Sequence, residues 1–452
     1  MANAQSRQAE AAAGGVWRSP LLFLGLATLF VLEGTTRNAM FSGSWSTALE
    51  ILNVGLIYAI VALGVNMQWG YAGLFNVGVV GFFALGGLAP VLISMPPVPG
   101  AWAAGGVRMV FALLIGLGTL ALAALVWHRM RIRARGLVVT AILIVGLVVY
   151  RYVFDPAALA IEANNPAAYG YLGGLKLPVW LAFLVGGIFA AIAAWAIGKV
   201  ALGLRSDYLA IATLGIGEII VAVMRNEEWL TRGVKGVSPI PRPWPVGSEV
   251  ALQSDPSFQA RAAAWGLDLT TASTIWVKIG YSLTFALILF AIVTLAEFAL
   301  NSPWGRMMRA IRDNETAAEA MGKDVTARHL QVFILGSAVI GIAGALFVTK
   351  NGLLWPSGYN PLQYTFIVWL MVVVGGSGNN WGAVLGALLM WFVWIKAEVW
   401  GPALMGGLTS LMGESVVRQQ LVEASAHMRL VMMGLILLLV LRFAPRGLLP
   451  ER

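Results

Sequence analysis

Long apolar runs, most of them near the roughly twenty residues that one helical crossing of a bilayer needs, follow one another along this chain with polar breaks between them. They lie at about Leu21–Leu32, Trp45–Met67, Leu74–Met95, Val107–Trp127, Leu137–Phe154, Val179–Ile197, Tyr208–Val223, Ile275–Leu300 and Leu330–Val348. Two more flank Gly375-Gly376-Ser377-Gly378-Asn379-Asn380, and a last one covers about Met428–Leu441. A segment inside hydrocarbon must satisfy its own backbone groups, which runs of this length do as helices. The expected fold is an all-α polytopic membrane protein with roughly 10–12 transmembrane or re-entrant helices.

Composition supports that class: of 452 residues, 59% are hydrophobic and 11% charged, with a mean hydropathy of +0.80. No soluble core needs so much apolar sequence. The net charge of +9 would suit nucleic acid if it formed a patch on a soluble domain, but it collects beside apolar runs. His128, Arg129, Arg131, Arg133 and Arg135 follow one run, and Arg442, Arg446 and Arg452 follow the last. Basic residues in short loops mark the cytoplasmic side, so the anionic neighbours are lipid phosphates and nucleic-acid binding is excluded.

Counting crossings puts the basic loops at 128–136, 302–329 and 442–452 on one side, with both termini cytoplasmic. Residues 1–18 read as a disordered cytoplasmic tail and 19–452 as a single transmembrane domain. The polar interval 226–274 falls outside the cell, and Pro239, Pro241, Pro243 and Pro245 argue against regular helix there.

The stretch Ser302–His329 is too polar for the bilayer and too helix-prone for a simple linker. Ile311, Ala318 and Met321 all fall within about forty degrees of Met307 at the helical period, forming a narrow apolar stripe. The other faces carry Arg306, Arg309, Arg312, Asp313, Glu315 and Glu319, and Gly322 supplies a helix-closing glycine. The pattern reads as one short amphipathic helix outside the membrane; periodicity alone leaves open a merely solvated loop.

A second polar feature lies within an apolar run. Asp207, Glu218 and Arg225, eleven and seven residues apart, fall on nearly one helical face. A carboxylate in hydrocarbon is costly unless paired or hydrated, so this face should meet a partner helix, as a structural pair, or a permeation path.

Glycine is concentrated at Gly70–Gly87, around Asn76, where it allows close helix packing or a broken helix that turns backbone groups to a ligand. Gly375 and Gly376 mark another break. Gly378, Gly382 and Gly386, at four-residue steps, form a small-residue ridge, and Gly336, Gly341 and Gly344 read the same way.

Several chemistries are missing. With no cysteine there is no disulfide or thiolate site. The three histidines, His128, His329 and His427, lack metal-ligand spacing. Gly322-Lys323 is followed by Asp324, not the Ser or Thr of a phosphate-cradling loop, so the chain is not itself an ATPase. No catalytic triad suggests itself, so neither catalytic residues nor a metal are expected, and an intramembrane enzyme is the least supported class.

Arg309-Ala310-Ile311-Arg312-Asp313-Asn314-Glu315-Thr316-Ala317-Ala318-Glu319-Ala320-Met321-Gly322 resembles the coupling segment in the membrane subunits of branched-chain amino acid ATP-binding-cassette importers. Residues 207–233, 360–386 and the closing Pro445-Arg446-Gly447-Leu448-Leu449 resemble the same family. Where many members have Ser-Leu-Gly-His, this chain has Asn76-Val77-Gly78-Val79, without the histidine.

The resemblance implies a permease subunit, the larger of a pair, in a bacterial inner membrane. Its partners would be a homologous second permease, two ATP-binding subunits that carry ATP and Mg, and a periplasmic substrate-binding protein. The coupling segment would dock into a groove on an ATP-binding subunit. Two alternatives stay open: a permease of this kind for urea, amides or other amino acids, and an ion-coupled secondary transporter with Glu218 as proton site and the 375–380 break as substrate site.

Overall fold

The computed structural model describes residues 2–38, 40–129, 134–167, 169–410, 420, 423 and 427–451, with the side chains of 2–18 and 408 left aside. Helix α1 (Ala2–Thr35) includes 2–18, expected as disordered tail. Helix α2 (Trp45–Asn66), capped by the Ser44 side chain, continues through a π-turn at Met67–Tyr71. After an irregular stretch at 72–78 comes α3 (Val79–Ser94). A single turn, α4 (Pro99–Ala101), leads to α5 (Val107–Arg129).

Helix α6 (Arg135–Glu162) runs further than the expected end at Phe154. Arg131 and Arg133 of the basic loop lie outside the described residues; Arg135 stacks over the Trp127 ring at 4.5 Å. Next come α7 (Val179–Ala201) and α8 (Ser206–Asn226).

The interval 226–274 is more helical than its prolines suggested, with α9 (Glu228–Thr231), α10 (Glu249–Ser254) and α11 (Pro256–Ala264). The prolines at 239–245 fall in the irregular stretch between these helices, while Pro256 occupies the first turn of α11, where its missing N–H costs nothing.

Helix α12 (Leu269–Asn301) re-crosses, followed by α13 (Pro303–Asp313) and α14 (Glu315–Ala320). Then come α15 (Val325–Asn351), α16 (Ile367–Gly375), α17 (Asn380–Thr409) and α18 (Met428–Phe443).

Eight described helices are long and apolar enough to cross a membrane, three shorter ones are apolar, and α18 adds another. The twelve segments sit at the upper end of the expected range, and the fold is all-α, with no strands among the described residues.

Helix α15 is the centre, packed on α7, α3 and α2. Lipid tails are as apolar as the side chains, so such contacts rest on close packing rather than on exclusion from water. Glycine provides it: Gly341 lies against the backbone of Gly186 and Gly344 against that of Phe83, while Gly336 meets Gly64 and Gln68. The ridge expected on the ninth run is present. Helices α5 and α6 pair with each other, and α6 joins the body near its C-terminal end, where the rings of Phe154 and Trp229 are 5.8 Å apart.

Candidate functional site

The link between α12 and α15 begins with Ser302, whose hydroxyl accepts from the Gly305 amide (3.4 Å), and Pro303 at the first helical position. Instead of the single amphipathic helix expected, the chain breaks at Asn314. Its backbone turns extended, and its side chain accepts from the Ala317 amide (3.0 Å), starting α14.

That break resets the helical phase, so the buried face is Gly305, Met308, Ile311 and Ala318. Met307 is half-buried, and Met321, placed by periodicity in the apolar stripe, is 79% exposed at the tip. Arg306 and Arg309 turn back to the carbonyls of Asn301 (3.4 Å) and Leu300 (3.5 Å), where cations complement the end of α12. The exposed surface carries more acids than bases, Asp313, Glu315, Glu319 and Asp324 against Arg306 and Lys323, with Met321 and Gly322 exposed among them.

Arg312 points the other way. Its Nη1 donates to the Gly70 carbonyl and to Glu451 Oε2 (2.8 Å), and its Nε to Asp313 Oδ1 (3.3 Å). The Gly70 carbonyl is a helix-end acceptor: the downstream amides of Gly73 and Leu74 bond to Trp69 and Gln68 instead. Partial burial works against the guanidinium charge, but the Glu451 carboxylate and then Asp313 outweigh it and raise the pKa of Arg312.

Two helix breaks meet beside this guanidinium. At the first, 72–78, Asn76 Nδ2 donates to Gln68 Oε1 (2.8 Å) and Asn76 Oδ1 accepts from the Gly78 amide (2.9 Å). Thr213 and Thr365 accept from the amides of Val77 (3.0 Å) and Val80 (3.1 Å). Irregular backbone at this depth is satisfied by protein, as it must be. Asn76, a candidate for the permeation path, is fully buried and braces this turn.

At the second break, 376–379, the Gly378 amide donates to Asn66 Oδ1 (2.8 Å). Asn380 Oδ1 accepts from Asn66 (3.2 Å) and from the Tyr71 hydroxyl, and its Nδ2 donates to Glu297 (3.0 Å). The segment 446–451 lies across this break. The amides of Leu448 and Leu449 donate to the last carbonyls of α16, those of Val374 and Gly375, at 2.9 Å each, and Asn379 donates to the Pro450 carbonyl (3.2 Å).

Gly376 (φ 117°) and Gly447 (φ 81°) touch backbone to backbone, which no side chain at either position would allow. Gly382 and Gly386 pack on Gly375 as a ridge; Gly378, expected in that ridge, lies in the loop before α17 with φ 86°. Asn66, Gln68, Glu297 and Glu451 escaped the sequence reading, while Tyr71 and Asn380 lay inside the two glycine-rich stretches it marked without being singled out. Polar Asn66 at the end of an apolar run and Gln68 just past it were the available signal, and Glu451 gave none.

Asp207, Glu218 and Arg225 do share one face of α8, and all three are exposed on the outside of the chain. The adjoining face, with Thr213, Gly217 and Val221 buried, packs on α3, where Gly217 meets Gly78 and Gly81. The ion pairs among the described residues do not include Glu218. A structural pair with a helix of this chain is therefore absent from the described part. An ionisable group midway along a crossing helix faces away from the body.

A family model described as branched-chain amino acid transport system / permease component matches residues 47–173 and 136–441. Among curated proteins, the chain is 29% identical over 298 residues to the high-affinity branched-chain amino acid transport system permease protein LivM of Escherichia coli, covering 64% of this chain and 61% of that protein. Its counterpart in Salmonella typhimurium gives the same figures. The probable branched-chain amino acid transport permease protein LivM of Methanocaldococcus jannaschii is 25% identical over 402 residues, covering 88% of this chain and 91% of that one. The match to each enterobacterial relative thus spans less than two thirds of its length. No solved structure matches the chain.

Proposed function

We propose that this chain, which belongs to the family of branched-chain amino acid transport permease components, is a membrane subunit of an ATP-driven importer for branched-chain amino acids. The observation that carries the reading is the α13–α14 element. It is a capped helix pair outside the bilayer with an acidic, methionine-tipped surface turned outward and Arg312 turned inward onto both helix breaks.

Such a surface suits a basic-rimmed groove on an ATP-binding subunit, and ATP with Mg would be held there. Closure of two such subunits would push on α13 and rock the spans, alternating access along a path between this chain and a homologous permease. The similarity to branched-chain amino acid permeases supports the substrate class, and the outer interval 226–274 is the surface offered to a periplasmic binding protein. The side bearing α13–α14 and residues 446–451 is taken as cytoplasmic, in an inner membrane.

Replacing Glu315 and Glu319 together by Lys is expected to cut leucine uptake about tenfold or more while leaving the amount of inserted chain unchanged. Radiolabelled uptake beside an immunoblot checks this, and unchanged uptake would refute the docking surface. Uptake that survives ATP depletion but collapses with the proton gradient would favour the ion-coupled alternative instead.

The second permease is assigned to the exposed face of α8. A carboxylate at the centre of a crossing costs about 2.5–3.5 kcal/mol against lipid, a cost relieved if the face borders a partner and an aqueous path. Gly215 lies on that face with nothing within 4 Å of an added Cβ. Gly215→Leu is therefore expected to leave this chain's own melting temperature unchanged and to prevent co-purification of the second permease. A Gly215→Leu chain that still pairs and transports normally would place the face against lipid.

A further inference from the structure

We propose that Glu451 is a positioning residue for coupling: its carboxylate holds the Arg312 guanidinium at the meeting point of the two helix breaks, so that movement of α13 reaches both.

The geometry is specific. Nη1 of Arg312 serves the Gly70 carbonyl, at the end of α2 before the 72–78 break, and Glu451 Oε2 at 2.8 Å. Glu451 in turn lies against the 376–379 break, where a Cβ on Gly378 would come within 2.7 Å of its Oε2. The strand of chain that carries Glu451 is bound to the end of α16 through the amides of Leu448 and Leu449 and to the start of α17 through Asn379.

Arg312 is thus the side chain of α13 that reaches across to both breaks, while Met308 and Ile311 anchor the same helix by packing. A helix that ends in irregular backbone is a joint, since few φ/ψ changes there redirect the segment beyond it. Without Glu451 the guanidinium keeps one acceptor at the first joint and loses its connection to the second. Charged hydrogen bonds hold geometry better than neutral ones, so Gln in place of Glu weakens the tie without changing its shape.

The inference rests on the importer reading, and the test separates the two. The complete transporter, purified and reconstituted, is assayed for ATP hydrolysis stimulated by leucine-loaded binding protein and for leucine uptake, and the two rates are divided. Wild-type transporter that hydrolyses no ATP in response to the loaded binding protein would sink the importer reading itself.

Given a working wild type, Glu451→Gln is expected to lower leucine transported per ATP about tenfold, with Glu451→Asp recovering part of the loss. A merely structural role would reduce both rates together and leave their ratio unchanged, and that result overturns the proposal. So does a Glu451→Gln chain that fails to assemble, since the pair would then be a folding element.

Discussion

Gly344→Leu is expected to leave almost no folded chain. A Cβ at 344 would collide with the Phe83 carbonyl oxygen and come within 3.0 Å of the Gly87 amide nitrogen. Both are backbone atoms of α3, so no rotamer change relieves the clash and the two helices must separate. The other side of α15 is held as closely, because Gly341 meets the Gly186 backbone of α7. Helix α15 cannot retreat from α3 without losing that second contact or invading it. Overpacking costs about 1–3 kcal/mol where side chains can adjust, and here the loss should exceed that range.

Size-exclusion profiles and melting curves in mild detergent check this prediction. Gly118→Leu on α5 serves as control, since nothing lies within 4 Å of its added Cβ. The control should elute and melt like wild type while Gly344→Leu aggregates. Equal behaviour of the two would contradict the packing account.

The second large effect belongs to Lys396→Met. Lys396 on α17 and Glu33 on α1 are 2.9 Å apart, their side chains 3% and 0% exposed. Glu33 also accepts from the Ser42 hydroxyl (2.5 Å) and amide (3.3 Å), and the ammonium lies 5.8 Å from the centre of the Phe41 ring.

Removing the cation alone strands a buried carboxylate, which costs about 3–5 kcal/mol. Replacing both partners by apolar groups of similar size removes the stranded charge along with the attraction. The expected melting temperatures therefore rank Lys396→Met lowest, with Lys396→Met combined with Glu33→Leu recovering most of the difference. A double variant no better than the single one would show that the pair is not what holds α1 to α17.

What the sequence revealed and what it hid divide along physical lines. The crossing pattern was legible because length and hydropathy are local, and the ridge of Gly336, Gly341 and Gly344 because small residues at helical spacing have few other uses in a membrane. The amphipathic element was found, but not its break at Asn314, where a side-chain cap overrides a continuous helical pattern. That break moved Met321 from the expected inner stripe to the tip.

Arg306, Arg309 and Arg312 looked like equivalent cations on an outer surface, yet two of them close α12 and the third ties distant segments together. Arg312 lies 242 residues from Gly70 and 139 from Glu451, and no local periodicity reports on such contacts. The shared face of Asp207, Glu218 and Arg225 was legible from spacing. That it faces away from the body follows from the glycine contact on the adjoining face of α8, which requires α3 to be in place.

Purifying the chain from its native membrane in mild detergent and identifying what accompanies it decides whether it works as an importer subunit. A second permease and a pair of ATP-binding subunits should co-purify, with ATP hydrolysis rising when leucine-loaded binding protein is added. A chain recovered alone, or as a homodimer without ATPase activity, would contradict the account.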